Sequence, residues 1–131
     1  NGGKVLIIGN GGSMAMASHM MAEFVGIYTN SKALPAIALN DIATITAIAN
    51  DTDYKYVFSR QVKALGKRGD ILITFSTSGK SKNIIEGMYQ AKMQALTIID
   101  MPRIKGTTQE IQENQLHLTH EICKLVKQYF K

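Results

Sequence analysis

His19 and Glu23 stand four residues apart in "SMAMASHMMAEF", and Gln112 and His120 stand eight apart in "IQENQLHLTH". On a helix, residues spaced i, i+4 share a face one turn apart, and eight residues make a little over two turns, which places them near one stripe. Each pair can therefore aim at one ligand or metal. Imidazole and carboxylate are also common carriers of protons in catalysis. Taken singly, His19 reads equally as a packed core histidine and Glu23 as a solvated charge. Met14, Met16, Met20 and Met21 read as filler for a core or a subunit interface, because methionine adapts to irregular gaps.

Two loops have the composition of anion sites. Gly9-Asn10-Gly11-Gly12-Ser13 closes the apolar run "KVLIIG". Its glycines permit close backbone approach, and a helix capped by Ser13 would turn free N–H groups toward an anion. Ser76-Thr77-Ser78-Gly79-Lys80-Ser81 follows "DILITF". Its hydroxyls, with Ser81 at the cap of the next helix, can surround a phosphate with donors. Neither loop matches a standard nucleotide fingerprint: the first lacks the G-x-G-x-x-G spacing and the second the G-K-[ST] order. Turns of this composition also serve simply as connections.

The elements that must position these groups follow from periodicity. "KVLIIG" and "DILITFS" are short, apolar and β-rich, as buried strands are, and "PAIAL" and "ALTII" are weaker versions. Helical patterns lie between them. Ser13 caps one through about Gly26, Asp41 one through about Asn50, "YVFSRQVKALG" forms another, and Ser81 caps "KNIIEGMYQAKMQ". A last pattern runs from about Thr108 to Phe130, with apolar Ile111, Leu116, Leu118, Ile122, Leu125 and Val126. Strands alternating with helices predict an α/β fold: a doubly wound parallel sheet, flanked by helices and joined by right-handed crossovers. Ligands of such sheets bind beyond the C-terminal strand ends, where both loops fall.

The bulk numbers set limits. A chain of 131 residues, 45% hydrophobic and 19% charged, suits one domain over 1–131. No apolar run approaches the roughly 20 residues that span a bilayer, so no membrane association is expected. The net charge of +5 is spread over Lys4, Arg60, Lys63, Lys67, Arg68, Lys80, Lys82 and a C-terminal group, without a basic block or aromatic platform. Nucleic acid is therefore not an expected partner, whereas a diffuse positive field favours small anions such as a sugar phosphate. The single Cys123, in "HEICKLV", reads as a core thiol in a reducing cytoplasm.

"GNGGS" followed by His19 and Glu23, "ANDTDYKYVFSRQV", "STSGKS" and "EIQENQLHLTHEIC", in that order, resemble the sugar isomerase (SIS) domain of the phosphoheptose isomerases over nearly the whole chain. The resemblance implies a flavodoxin-like three-layer fold. It also implies conversion of sedoheptulose 7-phosphate to D-glycero-D-manno-heptose 7-phosphate in bacterial heptose synthesis. By the same resemblance the sugar phosphate binds at Asn10, Gly11, Gly12, Ser13, Asn50, Asp51, Ser76, Thr77, Ser78, Ser81 and Gln112. The catalytic groups are Glu23 and His120, and zinc is held by His19, Glu23, Gln112 and His120. A homotetramer with sites between subunits is implied as well. An acid and a base suit the reaction, which moves hydrogen between C1 and C2 through an enediol.

The chain departs from the family pattern at Met16, Ser18 and Gln115, where Asp, Gln and His are common. It also lacks the family's long N-terminal helix and a loop and strand expected between Asp100 and Met101. Non-catalytic relatives, a sugar-phosphate sensor or a replication-initiation factor that binds a protein, are the alternative. Glu23 favours the enzyme, since the replication relatives lack that carboxylate.

Overall fold

The computed structural model describes residues 2–26 and 32–129. Strands β1 (Val5–Gly9), β2 (Ala36–Ala38), β3 (Ile71–Phe75) and β4 (Thr97–Asp100) form one sheet in the order β2-β1-β3-β4. Every pairing is parallel, with Val5 opposite both Ala36 and Ile71, and Ile71 opposite Thr97. The helices are α1 (Gly12–Val25), α2 (Ile42–Asp51), α3 (Ser59–Leu65), α4 (Lys82–Met93) and α5 (Thr108–Tyr129), with a 3-10 turn at Tyr54–Tyr56. The expected α/β doubly wound sheet is present. Phe130, the expected end of the last helix, lies outside the described residues.

Alternation along the strands builds the core in two layers. Ile7, Ile73 and Phe75 face one side, where Met16, Ala17, Met20 and Phe24 of α1 and Cys123 of α5 pack on them. Leu6, Ile8 and Leu72 face the other, against Val57 and Phe58 just before α3, Val62 of α3, and Ile84 and Ala91 of α4. Met20 is fully buried and Phe24 is 3% exposed, each worth about 1.5–3 kcal/mol of transfer free energy. Met16 joins this core, while Met14 and Met21 pack against the two layers from partly buried positions. Helices cover both faces within one chain.

Three local readings also change. Ser13 does not cap α1: Gly11 holds that position at φ 53° without a side-chain bond, and Ser13 is buried in the first turn. Glycine reaches this left-handed conformation without a Cβ penalty. The "YVFSRQVKALG" helix is divided between the 3-10 turn, whose Asp53 accepts from Lys55 N–H at 2.8 Å, and the shorter α3. The buried side of α5 is Ile111, Gln115, Thr119, Cys123 and Lys127, while Leu116 and Leu125 are exposed. Polar residues are tolerated there because they reach backbone oxygens: Lys127 Nζ donates to Gly26 O at 3.1 Å and Lys32 O at 2.9 Å. By contrast, Asp41 caps α2 as expected, accepting from Thr44 N–H at 2.9 Å. Thr107 and Glu110 form a reciprocal box at the start of α5.

The chain leads from β1 to β2 on one side of the sheet and from β3 to β4 on the other, so the order of winding reverses between β1 and β3. Gly9 and Phe75 are register partners, and the two ligand-like loops leave the sheet side by side at this switch point.

Candidate active site

The α1 and α5 helices bring together side chains that are about a hundred residues apart. His19 Nε2 lies 2.8 Å from Glu23 Oε1 and 3.0 Å from His120 Nε2, and His120 Nε2 lies 3.2 Å from the same Glu23 oxygen. The Glu23 side chain is 11% exposed. Its Oε2 is buried with no hydrogen-bond partner among the described residues. The Cys123 thiol is buried three residues beyond His120, and burial, with the Glu23 carboxylate beside it, pushes it up to about 12.

Three such contacts cannot all be hydrogen bonds. Each ring nitrogen carries at most one hydrogen, so two imidazole nitrogens and one carboxylate oxygen that all touch lack protons for three sides. A shared cation resolves this. A tetrahedral zinc with bonds near 2.0–2.2 Å separates its ligand atoms by about 3.3 Å, close to the three distances observed. His19, Glu23 and His120 can together hold a metal ion.

Gln112 lines the same cleft, about 380 Å³, together with Gly12, Ala15, Met16, His19 and Leu116. Its amide rests on Gly12, where a Cβ would stand 2.5 Å from Nε2. The glycine at 12 is thus what admits Gln112 to the mouth of β1. His19, Glu23 and His120 touch one another, and His19 shares the cleft with Gln112.

The second loop takes shape around its own backbone. Ser76 Oγ accepts from Gly79 N–H and Ser78 Oγ from Lys80 N–H, each at 3.0 Å. Ser81 occupies the expected cap position of α4 but makes no side-chain capping bond, so its hydroxyl does not satisfy the first N–H groups of α4. Thr77 and Ser81 are partly exposed on this loop. Asn50 and Asp51 end α2, bonded to each other at 3.2 Å. They sit a few residues from Tyr54, whose hydroxyl donates to Asn10 at 3.2 Å.

Sequence reasoning missed three neighbours. Asn83 pairs with Asn10 across the crevice. Gln115 Nε2 donates to Ser76 O at 3.4 Å, so this family departure sits behind the second loop. Arg103 lies against the α-carbon of Gly79 and is held by both oxygens of Asp100 at 3.1 and 2.8 Å. Burial lifts the Asp100 carboxyl, but Arg103 and Thr74 hold it below the usual range. Asn83 and Gln115 have no signal in spacing, because each is set by a contact between distant segments, whereas Asp100 and Arg103 are an i, i+3 pair. Ser18, another departure, is partly buried and accepts a hydrogen bond from Asn40, two residues past β2.

The chain matches the SIS domain family over residues 1–101. It is 46% identical over 144 aligned positions to the phosphoheptose isomerase of Thermodesulfovibrio yellowstonii, covering 96% of this chain and 72% of that one. It is 43% identical over 148 to the one from Helicobacter pylori, covering 99% and 77%. These alignments are longer than the 131-residue chain, so both relatives carry residues with no counterpart here. The structure of a phosphoheptose isomerase from Francisella tularensis superposes with a TM-score of 0.92 at 34% identity, covering 98% of this chain and 78% of that one. The Neisseria gonorrhoeae phosphoheptose isomerase gives 0.88 at 37%, covering 95% and 76%. With its SIS domain, its sheet and its identity to these proteins along nearly its whole length, the chain belongs to the phosphoheptose isomerase family.

Proposed function

We propose that this protein converts sedoheptulose 7-phosphate to D-glycero-D-manno-heptose 7-phosphate, supplying a heptose precursor in the cytoplasm. The observation that carries this reading is the meeting of Glu23 and His120 at 3.2 Å, from helices far apart in sequence. The phosphate binds the Ser76, Thr77, Ser78 and Ser81 loop and the N-terminus of α4, since a dianion needs several donors to leave water. The sugar extends over Asn10, Gly11, Gly12 and Ser13, flanked by Asn50 and Asp51, and its reacting end reaches Gln112, Glu23 and His120.

The reaction takes a proton from C1 of the ketose, passes through a cis-enediol, and returns a proton to C2. Glu23 is the base for the carbon proton. His120 gives a proton to the C2 oxygen and receives one from the C1 oxygen, so that no net charge is left on the sugar. His19, Glu23, Gln112 and His120 would hold zinc, which supplies a Lewis acid for the carbonyl oxygen. Ligand and acid/base are competing roles for Glu23 and His120, because a group tied to a cation is a weaker base.

The homotetramer belongs to the same proposal. Val25 at the end of α1 and Leu125 of α5 are 45% and 64% exposed, apolar surface of the kind that subunit contacts cover.

Incubation of the zinc-supplied protein with sedoheptulose 7-phosphate should yield an aldose phosphate. Glu23→Gln should lower kcat by about 10²–10⁴-fold, the range for a lost general base, while sugar-phosphate binding persists. Binding without turnover by the unmodified protein would discard the isomerase reading and favour a sugar-phosphate sensor.

A further inference from the structure

Asn10 does not stand free over the crevice. Its Nδ2 donates to Asn83 Oδ1 and Asn83 Nδ2 donates to Asn10 Oδ1, both at 2.8 Å, and Tyr54 OH donates to Asn10 Oδ1 at 3.2 Å. Asn83 is 3% exposed, near the start of α4, whereas Tyr54 is 55% exposed in the 3-10 turn. In sequence, 73 residues separate Asn10 from Asn83 and 44 separate it from Tyr54.

A buried carboxamide is costly unless it is paired, and a small apolar side chain would fill the Asn83 position without that requirement. The reciprocal pair adds geometry: two amides fit only when each oxygen faces the other's nitrogen, so the pair holds one separation and one orientation. It joins the loop that follows β1 to the helix that follows β3, the two walls of the switch point. Tyr54 ties in a third segment, the one that carries Asn50 and Asp51.

We propose that Asn83 is a positioning residue for the sugar-phosphate site, bracing Asn10 so that the Gly11-Gly12-Ser13 turn and the Ser76–Ser81 loop present their donors to one ligand, with Tyr54 completing the brace. This rests on the sugar-phosphate reading above.

Asn83→Asp tests it. An ionised carboxylate accepts from Asn10 Nδ2 but sets its second oxygen against Asn10 Oδ1. A protonated one donates its O–H to that oxygen and restores the reciprocal pair. The variant's KM for sedoheptulose 7-phosphate, divided by the wild-type value at each pH to cancel shared titrations, should be about tenfold or more at pH 8. It should fall toward one as pH drops through the buried carboxyl's titration, with the kcat ratio nearly constant. A purely structural role would lower the melting temperature without a pH-dependent KM ratio. Tyr54→Phe, exposed and expected to fold, should raise KM about threefold or more with kcat within about twofold; it decides the matter if Asn83→Asp is unstable. Wild-type protein that fails to isomerise the sugar would overturn the functional reading and this one together. Active wild type, with KM ratios near one at every pH in the folded variants, would overturn the brace alone.

Discussion

Glu23 uses a single oxygen to meet both imidazoles, and the rest of its carboxylate is packed in the wall beside Cys123. At this scale the reactive-looking thiol is the inert one. Its folded value of about 12 stands above the ordinary 9.0, so the unfolded chain loses the proton first as the solution becomes alkaline. The raised group contributes stability that is whole below about pH 9 and declines as pH rises toward 12, at up to about 1.4 kcal/mol per pH unit. The urea midpoint of wild type should therefore fall more steeply between pH 9 and 10.5 than that of Cys123→Ala, although the variant starts lower. Iodoacetamide should leave the native thiol unmodified at pH 8 and label it in urea. Equal slopes for the two proteins would contradict this account of the thiol.

Between elements, the decisive contact is α1 against α5. Gly12 is present because Gln112 needs its space, with 2.5 Å between Nε2 and the position of an added Cβ. The clashing atom is the end of a flexible side chain, so the amide can swing away and the fold survives. We expect Gly12→Ala to melt within a few degrees of wild type while losing about tenfold or more in isomerase activity, because Gln112 leaves the reacting end of the sugar. A variant as active as wild type would remove Gln112 from the site. The element pattern itself was largely legible: the buried strands and the Asp41 cap stood where apolar runs and capping residues put them. The cap of α1 was not, since the turn there is set by the backbone of Gly11 rather than by a serine hydroxyl. The polar seam of α5 was also hidden, because Lys127 and Gln115 find their acceptors in other segments.

For the molecule as a whole, the strand order β2-β1-β3-β4 places both loops at one crevice and makes a single chain carry the complete His19, Glu23 and His120 cluster. No helix among the described residues is long and apolar enough to cross a membrane. The +5 charge acts at this scale too. It should draw in a dianionic sugar phosphate, and raising the salt from 0.05 to 0.5 M should increase KM severalfold while kcat changes little. A salt-independent KM would mean that local donors alone govern capture. Light scattering should report a tetramer, and a stable, active monomer would remove the proposed subunit contacts.

The sequence by itself determined the parallel sheet, the two loops beyond its strand ends and the co-facial spacing of each half of the cluster. These depend on short-range rules: alternation, turn chemistry and the helical repeat. It also carried the family through motifs in fixed order. Only the tertiary structure decided that the two halves meet, that Gly12 makes room for Gln112, and that Asn10 is held by Asn83 and Tyr54. Those contacts join segments tens of residues apart, and no local periodicity encodes the distance between two helices or which polar side chain will face a distant carbonyl or amide once the core has closed.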